Sequence, residues 1–314
     1  MDKREIFHVI KPGILTTLQD LGRHGYQQYG IPVSGVMDTY ALQVANILVG
    51  NSRNEAGLEV TLVGPSLEAK TTITVSITGA ELSPSLNGDP IEMWKSLKMK
   101  PGDRLIFAKR KKGMRAYIAV AGGFDVPLFL GSKSRDRNSG LGMELEKNLT
   151  LSGYVADATT GIFLHDQLIP IYKSEVEIGI VEGPHTSSFT ANVREAFFNN
   201  TYKVDANSNR MGYRLLSDNT IQPHQAGIWS DPVPFGGIQI PGNGEPIILM
   251  ADRQTTGGYP RIGTVISTDL PKIAQLVPHD KLHFYPISVE EAQEKAKQLE
   301  RELQKLKTFC RSKS

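Results

Sequence analysis

The sequence predicts a mainly β protein built from two related domains, and three observations lead to this prediction. Short runs rich in β-branched and aromatic residues lie between scattered glycines and prolines, which is typical of strands. Helical signals are confined to three segments. A weak internal repeat relates the two halves, and 314 residues are enough for two domains that each bury a core.

The strand pattern is clearest in four segments, at 71–79, 104–109, 115–123 and 175–183. Each is bounded by Gly or Pro, residues that end strands and form turns. The basic run at 109–112 is followed by Gly113 and predicts a solvated hairpin turn, with an electrostatic role as the alternative.

Helical signals mark three segments. The first begins at Asp38, a favourable N-cap, and stops at Gly50, and the second covers 187–199. The third opens with Ser288 and Glu291, which form a capping box. Its apolar positions alternate by three and four, as in a coiled-coil seam: Val289, Ala292, Ala296, Leu299, Leu303 and Leu306. This helix either docks on its own domain or forms a seam with a partner.

Three matches in the same order make up the internal repeat. NGDPI (87–91) recurs as NGEPI (243–247), KPGDRLIF (100–107) recurs as VPHDKLHF (277–284), and Gly-Pro follows a strand at 64–65 and at 183–184. The repeat predicts domains at 1–168 and 169–314. Nine residues separate NGDPI from PGD, whereas 29 separate NGEPI from VPHD. The longer interval contains ADRQTTGGYPRIGT (251–264), so we expect a functional loop there.

Composition and missing motifs exclude several classes of function. The 35 basic and 33 acidic residues nearly cancel, which argues against nucleic acid as the main partner. A single cysteine, Cys310, permits no disulfide within the chain and no Cys-based metal site, and no metal is predicted. There is no signal peptide, no long apolar stretch, no P-loop, no HExxH and no GxSxG, so a cytoplasmic location is expected. Among seven dispersed histidines, His24 is the one near a suspected site, with a structural role as the alternative to acid–base chemistry.

Four polar clusters contain arginine and glycine, and two of them, 16–38 and 251–264, also share paired threonines, Gln and Asp. The four clusters lie at 16–38, 131–136, 209–214 and 251–264. Arginine offers a planar fork for a carboxylate or phosphate, and glycine lets backbone N–H groups approach an anion. The clusters therefore suit a small polar ligand carrying a ureido, lactam or carboxylate group. The alternative is that these acids and arginines pair with each other and cap loops.

These motifs together resemble a known family. They are TTLQDLGRHGYQQYGIPVSGVMD (16–38), AVAGGFDVPLFLGSKSRD (119–136), RMGYRL (210–215), GGIQIPGNGEPIILMADRQTTGGYP (236–260) and TVISTDLPKIAQLVPHDKLHF (264–284). From Pro12 to about Pro286 the sequence resembles the allophanate hydrolase subunit 2 family. The resemblance implies two tandem cyclophilin-like β-barrel domains with a few short helices and a C-terminal helix, without prolyl isomerase activity.

The resemblance also implies that the chain acts as an enzyme only in complex with other proteins. In the ATP-dependent 5-oxoprolinase complex, the C subunit works with the A subunit, and with the B subunit (allophanate hydrolase subunit 1, or Kip inhibitor-like), to cleave 5-oxoproline to L-glutamate. No covalently bound cofactor is then expected, and ATP is used by the complex. One alternative is a subunit of a biotin-dependent carboxyltransferase of the urea/allophanate type. Another is a regulator that binds and antagonises a histidine-kinase inhibitor.

Site residues follow from the resemblance. The predicted catalytic residues are Arg253, Thr255, Thr256, Asp20 and Arg23. The predicted substrate-binding residues are Thr17, Gln19, Ser34, Asp38, Ser132, Arg135, Arg210, Tyr213, Asp252, Gln254, Gly257, Gly258 and Tyr259. We expect Asp20 and Asp252 to orient Arg23 and Arg253, and the segments 16–25 and 251–260 to face one cleft shared with the partner.

Two segments depart from the family pattern. Ser132-Lys133-Ser134-Arg135-Asp136 stands where Ser-Arg-Ser-Thr-Asp is expected, so that Lys133 replaces an arginine, and Ser230-Asp231-Pro232 replaces Ser-Glu-Gly. These departures bear on the identity of the ligand more than on the fold.

Overall fold

A computed structural model describes residues 2–225 and 227–313, and these form two compact units. Unit 1 holds 2–23, 38–172 and 301–313, and unit 2 holds 24–37 and 173–300. The units therefore differ from the predicted contiguous domains 1–168 and 169–314 in two exchanged segments, 24–37 and 301–313, and in residues 169–172, which belong to unit 1.

Unit 1 consists of two antiparallel sheets. Its strands are β1 (Asp2–Lys11), β2 (Leu15–Gln19), β3 (Gly57–Thr61), β4 (Ser66–Ala69), β5 (Ile73–Glu81), β6 (Pro84–Leu86), β7 (Asp89–Pro90), β8 (Lys95–Met99), β9 (Arg104–Phe107), β10 (Lys112–Val120) and β11 (Thr150–Val155). The sheet orders are β11-β1-β4-β9-β6-β7 and β2-β3-β10-β5-β8. Since β9 and β10 lie in different sheets, the predicted hairpin turn at 109–112 is wrong: Lys112 pairs with Glu81 of β5, and the exposed basic run connects the two sheets.

Alternating side chains of the two sheets form one core in unit 1. Phe7 and Leu67 come from the first sheet, and Val60, Val75 and Ile118 come from the second, all fully buried. The odd-numbered neighbours on β3 and β10 face the opposite side of the second sheet, because successive side chains alternate along a strand. Polar groups on that side therefore lie outside the apolar core.

Helix α1 (Thr39–Leu48) packs on the outer side of the second sheet of unit 1. The Asp38 carboxylate accepts a hydrogen bond from Ala41 N at 2.9 Å, which confirms the predicted N-cap. Ser76 and Thr78 of β5 donate to carbonyls of the helix at 2.6 and 2.7 Å. These bonds satisfy buried hydroxyls and fix the helix on the sheet.

Unit 2 is a closed barrel with an additional two-stranded ribbon. Its strands are β12 (Glu175–Glu182), β13 (Tyr202–Val204), β14 (Gly212–Leu216), β15 (Asp231–Pro232), β16 (Gly237–Gln239), β17 (Ile247–Leu249), β18 (Thr256–Gly257), β19 (Arg261–Val265) and β20 (Lys281–Pro286). The barrel order is β12-β19-β16-β17-β14-β13-β20, and parallel pairing of β20 with β12 closes it. Strands β15 and β18 pair with each other as a separate ribbon.

Helices α2 (Ala191–Asn199) and α3 (Leu270–Ala274) belong to unit 2. The predicted helix at 187–199 begins four residues late, because Thr190 is its N-cap and accepts from Val193 N at 3.4 Å. A short 3-10 turn occupies Thr186–Ser188. On α2, Phe197 stacks on Phe284 of β20 with ring centroids 4.8 Å apart, which anchors the helix to the barrel.

The C-terminal helix α4 (Val289–Lys313) follows β20. Its predicted capping box is confirmed: Glu291 N donates to Ser288 Oγ at 3.1 Å, and Ser288 N donates to the Glu291 carboxylate at 3.0 Å. The predicted mainly β fold with a few short helices and a C-terminal helix is confirmed as well. None of the described helices is long and apolar enough to cross a membrane.

Candidate functional site

In unit 1, the carboxylate of Asp20 organises a loop that lies more than a hundred residues away in sequence. Asp20 follows β2 and accepts hydrogen bonds from the hydroxyls of Ser132 and Ser134 at 2.7 and 2.6 Å. It also accepts from the backbone N–H groups of Gly22 and Lys133, both at 2.8 Å. Asp20 is 5% exposed, so these four donors replace its hydration.

Arg23 is fully buried and contacts the same loop. Its Nε donates to the carbonyl of Phe129 at 2.8 Å, and its Nη2 donates to the carbonyl of Ser134 at 2.9 Å. Arg23 thus binds backbone carbonyls of the loop, and Asp20 binds its serine hydroxyls. The structure brings together the predicted residues Asp20, Arg23 and Ser132.

Gln19 and Arg135 complete this cluster. Gln19 Nε2 donates to Thr17 Oγ1 at 3.0 Å and to the carbonyl of Arg135 at 2.8 Å. The carbonyl acceptor fixes the orientation of the amide. Among the described residues, the buried Oε1 of Gln19 has no hydrogen-bond partner. Arg135 forms an ion pair with Glu144 at 2.8 Å, so its guanidinium is compensated within unit 1.

Lys133, in one of the two segments that depart from the family pattern, has structural contacts. Its Nζ lies 2.6 Å from the carboxylate of Glu55 and donates to the carbonyl of Phe124 at 2.7 Å. The lysine side chain therefore points at a fixed carboxylate and a fixed carbonyl within unit 1.

In unit 2, Asp252 and Arg210 form a buried, bidentate pair. Arg210 Nε and Nη2 donate to the two Asp252 oxygens at 2.8 and 2.9 Å, and the side chains are 8% and 6% exposed. Arg210 Nη2 also donates to the carbonyl of Gly35 at 2.6 Å, and Ser34 Oγ donates to Asp252 at 2.5 Å. The pair forms because Asp252 N donates to the carbonyl of Arg210 at 2.9 Å, which places the two residues side by side. The expectation that Asp252 orients Arg253 is therefore wrong.

Arg253 follows Asp252 but has a different environment. It is 7% exposed, and its Nε and Nη1 donate to the carbonyls of Val233 and Met250 at 3.1 and 3.4 Å. The guanidinium carbon lies 5.5 Å from the centre of the Phe235 ring. Within the part of the chain that the structure describes, no carboxylate pairs with it. Burial lowers the pKa of Arg253 to about 10, so the group is still charged at neutral pH.

The segment after Arg253 contains β18, one of the two strands of the ribbon. Gln254 and Thr256 are exposed, Thr255 is half-buried, and Tyr259 is 46% exposed. The carbonyl of Thr255 accepts from Val233 N at 3.1 Å, and β18 pairs with β15. Hydroxyls and backbone groups of this strand therefore lie next to the Arg253 anchor.

Gly257 in this strand lies close to the side chain of Gln239. A Cβ atom at position 257 would lie 2.4 Å from Nε2 of Gln239, so a side chain there would require Gln239 to move. Gly257 and the adjacent Gly258 carry no side chains of their own, which lets a small anion approach the backbone.

Two predicted substrate-binding residues have the contacts of structural groups. Asp38 caps α1, and the hydroxyl of Tyr172 lies 3.5 Å from its carboxylate. Tyr213 is 1% exposed, and its hydroxyl donates to the carbonyl of Leu276 at 3.3 Å. His24, the alternative acid–base group, is exposed.

A buried charged cluster in unit 1 was not predicted from the sequence. Glu59 is 1% exposed, accepts from the Tyr117 hydroxyl at 2.9 Å and lies 3.8 Å from Arg115 Nε. Burial raises the pKa of Tyr117 well above its ordinary value. The alternation of Leu58, Glu59 and Val60 was the available signal, since it places the acid on the side of β3 away from the apolar core.

No group of three or more His, Cys, Asp or Glu side chains within 2–225 and 227–313 is arranged to hold a metal ion. The chemistry that the described groups can perform is recognition of an anion by arginine and stabilisation of charge by backbone and hydroxyl donors.

Comparison with known proteins identifies the family. The family model described as carboxyltransferase domain, subdomain A and B, matches residues 29–286. The chain belongs to this family. The carboxyltransferase domain match and the relatives described below confirm the resemblance found in the sequence motifs.

Two relatives of this carboxyltransferase-domain chain match it over most of their own length. It is 38% identical to the C subunit of 5-oxoprolinase from Escherichia coli (strain K12) over 299 residues, covering 90% of this chain and 92% of that protein. It is 34% identical to the C subunit of 5-oxoprolinase from Haemophilus influenzae over 278 residues, covering 88% and 89%.

A solved structure supports the fold. The crystal structure of the K. lactis urea amidolyase matches with a TM-score of 0.88 and 31% identity. The match covers 98% of this chain and 20% of that chain, so this protein spans about a fifth of the urea amidolyase.

Proposed function

We propose that this carboxyltransferase-domain protein is the C subunit of an ATP-dependent 5-oxoprolinase, and that it works with the A and B subunits to cleave 5-oxoproline to L-glutamate. The observation that carries the proposal is Arg253, a buried arginine with no carboxylate partner among the described residues. The substrate carries a carboxylate that this guanidinium would neutralise. Relatives named as the C subunit of 5-oxoprolinase match the chain over nearly its full length, which supports the same assignment.

The ribbon residues supply the second part of the proposed chemistry. Ring opening breaks the lactam C–N bond and adds water, and negative charge develops on the former carbonyl oxygen. Donors held in place before the reaction stabilise such charge most effectively. The hydroxyls of Thr255 and Thr256 and the backbone of Gly257 and Gly258 are the proposed donors, and Arg253 holds the carboxylate next to them.

The unit 1 cluster has a structural role in this proposal. Asp20 and Arg23 fix the loop that carries Ser132 and Arg135. The amide of Gln19 donates to Thr17 and to the carbonyl of Arg135, which adds a further contact to the same loop.

The first experiment is co-purification with a homologue of the B subunit, followed by ATP-dependent turnover of 5-oxoproline in the presence of the A subunit. Arg253→Ala should lower kcat/KM by about a hundredfold, because it removes a buried charge from a charge-assisted contact. Arg214→Ala, which changes an exposed arginine of the same unit, is the matched control and should retain normal turnover. Turnover by the Arg253 variant within a few-fold of wild type would rule out this assignment.

A second candidate is a subunit of a biotin-dependent carboxyltransferase. The observation that favours it is the match to the K. lactis urea amidolyase over 98% of this chain. In this case Arg253 would hold the carboxylate formed by carboxyl transfer, and biotin would be carried by another chain. Urea-dependent activity that avidin abolishes supports this candidate, whereas avidin-insensitive turnover of 5-oxoproline supports the first.

A further inference from the structure

The ribbon that carries Thr256 is not part of the barrel sheet. Strands β15 and β18 pair only with each other in the sheet topology of the described residues. Backbone bonds at both ends, from Ile228 N to Gly258 O at 2.9 Å and from Val233 N to Thr255 O at 3.1 Å, join the same two segments. An isolated two-stranded ribbon is marginally stable in water, so its position depends on contacts with the rest of the unit.

Asp231 provides a side-chain connection from the ribbon to the barrel. It lies on β15 opposite Gly257, and its Oδ2 accepts from Arg261 Nη2 at 2.5 Å. Arg261 is the first residue of β19, a strand of the barrel wall. Asp231 is the one side-chain acceptor recorded for Arg261 among the described residues, and the arginine side chain is 11% exposed. Because a buried guanidinium needs an acceptor, the pair holds ribbon and barrel together.

His185 holds the backbone of Arg261. It follows β12, and its Nδ1 accepts the backbone N–H of Arg261 at 3.2 Å. Its Nε2 lies 4.0 Å from the same Asp231 oxygen. With Nδ1 as acceptor, Nε2 carries the proton and faces the carboxylate. The segment after β12, strand β19 and strand β15 therefore meet at one carboxylate.

We propose that Asp231 is a positioning residue that holds the 255–258 strand at the candidate site through Arg261 and His185. Its effect on catalysis rests on the proposed function, whereas its effect on the ribbon does not. Loss of the carboxylate removes the side-chain connection between the ribbon and Arg261 of the barrel, while the carbonyl of Met250 still holds Arg253. The oxyanion donors then move relative to an anchored substrate, which lowers kcat and leaves KM nearly unchanged.

Hydrogen exchange of the full-length chain tests the structural part. In Asp231→Asn, amides of 254–259 should exchange at least tenfold faster than in wild type, with the rest of unit 2 unchanged. Asp231→Glu keeps a carboxylate and should restore slow exchange. Glu175→Gln, which removes an exposed carboxylate paired with His283, is the matched control and should exchange like wild type. Wild-type exchange in Asp231→Asn, or fast exchange in Asp231→Glu, would overturn the proposal.

A second variant covers loss of folding. If Asp231→Asn does not fold, the double variant Asp231→Asn/Arg261→Gln removes the uncompensated cation, and its ribbon should still exchange fast. A double variant with a slowly exchanging ribbon would contradict the proposal.

In the reconstituted complex, kcat of Asp231→Asn should fall about tenfold with KM within threefold, and Asp231→Glu should recover most of the lost kcat. Absence of wild-type turnover would reject the proposed function, while the exchange result would still decide the role of Asp231.

Discussion

Asp252 and Arg253 are adjacent in sequence and both buried, but only the charge of Asp252 is compensated by an opposite charge from another described residue. The Asp252 carboxylate is compensated by a bidentate contact with Arg210 and by the hydroxyl of Ser34. The Arg253 guanidinium, equally buried, is held by carbonyl dipoles and an aromatic ring. Folding therefore carries the cost of removing this charge from water, and a ligand anion would offset that cost.

Arg253→Met should stabilise the isolated chain. Burial lowers the pKa of Arg253 to about 10 in the folded state, below its ordinary value, so the unfolded chain binds this proton more tightly. The free energy of unfolding thus rises as the pH increases above about 10 and is lowest at every pH below that. At pH 7 the substitution removes this cost and should raise the free energy of unfolding by about 1–3 kcal/mol, measured by urea denaturation.

Arg210→Met provides the control of opposite sign for this prediction. It leaves the buried Asp252 carboxylate without its guanidinium and should lower the free energy of unfolding by about 3–5 kcal/mol. If both methionine variants destabilised the chain by similar amounts, Arg253 would not be an uncompensated charge.

Among the helices and strands, α4 has apolar positions at regular spacing, but these positions are not equally buried. Its seam contains Leu303, which is 3% exposed, and Val289, which is 49% exposed. Cys310, four residues after the last predicted seam position and thus in line with the same spacing, is also buried. The C-terminal part of the helix therefore packs within this chain, but 301–313 belong to unit 1 and not to the helix's own predicted domain, and the start of the seam is exposed.

Leu303→Ala should lower the free energy of unfolding by about 2–4 kcal/mol, because it leaves a cavity in a packed site. Val289→Ala should change it by less than about 0.5 kcal/mol, since the side chain is half exposed and alanine favours the helix. Thermal or urea denaturation of both variants measures the difference. If both substitutions changed the free energy of unfolding by the same amount, the two ends of the helix would be equally well packed.

For the chain as a whole, the structures that could be predicted from the sequence are helix caps and turns, which depend on residues close to each other in sequence. The N-cap at Asp38 and the capping box at Ser288 involve residues three positions apart. The internal repeat also has a local counterpart: Lys100 N donates to Asp103 at 2.6 Å, and Val277 N donates to Asp280 at 2.9 Å. The two copies of the motif thus form the same turn.

The partners of the site residues could not be predicted from local pattern. Asp252 pairs with Arg210, 42 residues away, and Asp20 accepts from Ser132, 112 residues away. Several acids and arginines in the polar clusters were equally suitable partners by chemistry. Only the path of the chain between sheets selects among them, and residue type carries no information about that path.

Division of the chain between residues 168 and 169 should yield fragments that fold only together. Segment 24–37 belongs to unit 2, where Ser34 and Gly35 contact Asp252 and Arg210, and segment 301–313, with the buried Leu303, belongs to unit 1. Each fragment alone lacks a segment of its own unit. The polar and apolar groups that this segment contacts in the folded unit are then left without partners.

Expressed alone, fragment 1–168 should be cut rapidly by protease within 24–37, and fragment 169–314 should aggregate. Expressed together, the two should co-purify in equal amounts and unfold cooperatively, because the exchanged segments restore both cores. Limited proteolysis, gel filtration and circular dichroism measure these outcomes. A protease-resistant, cooperatively folded 1–168 fragment would show instead that unit 1 is a domain in the contiguous range that the repeat predicted.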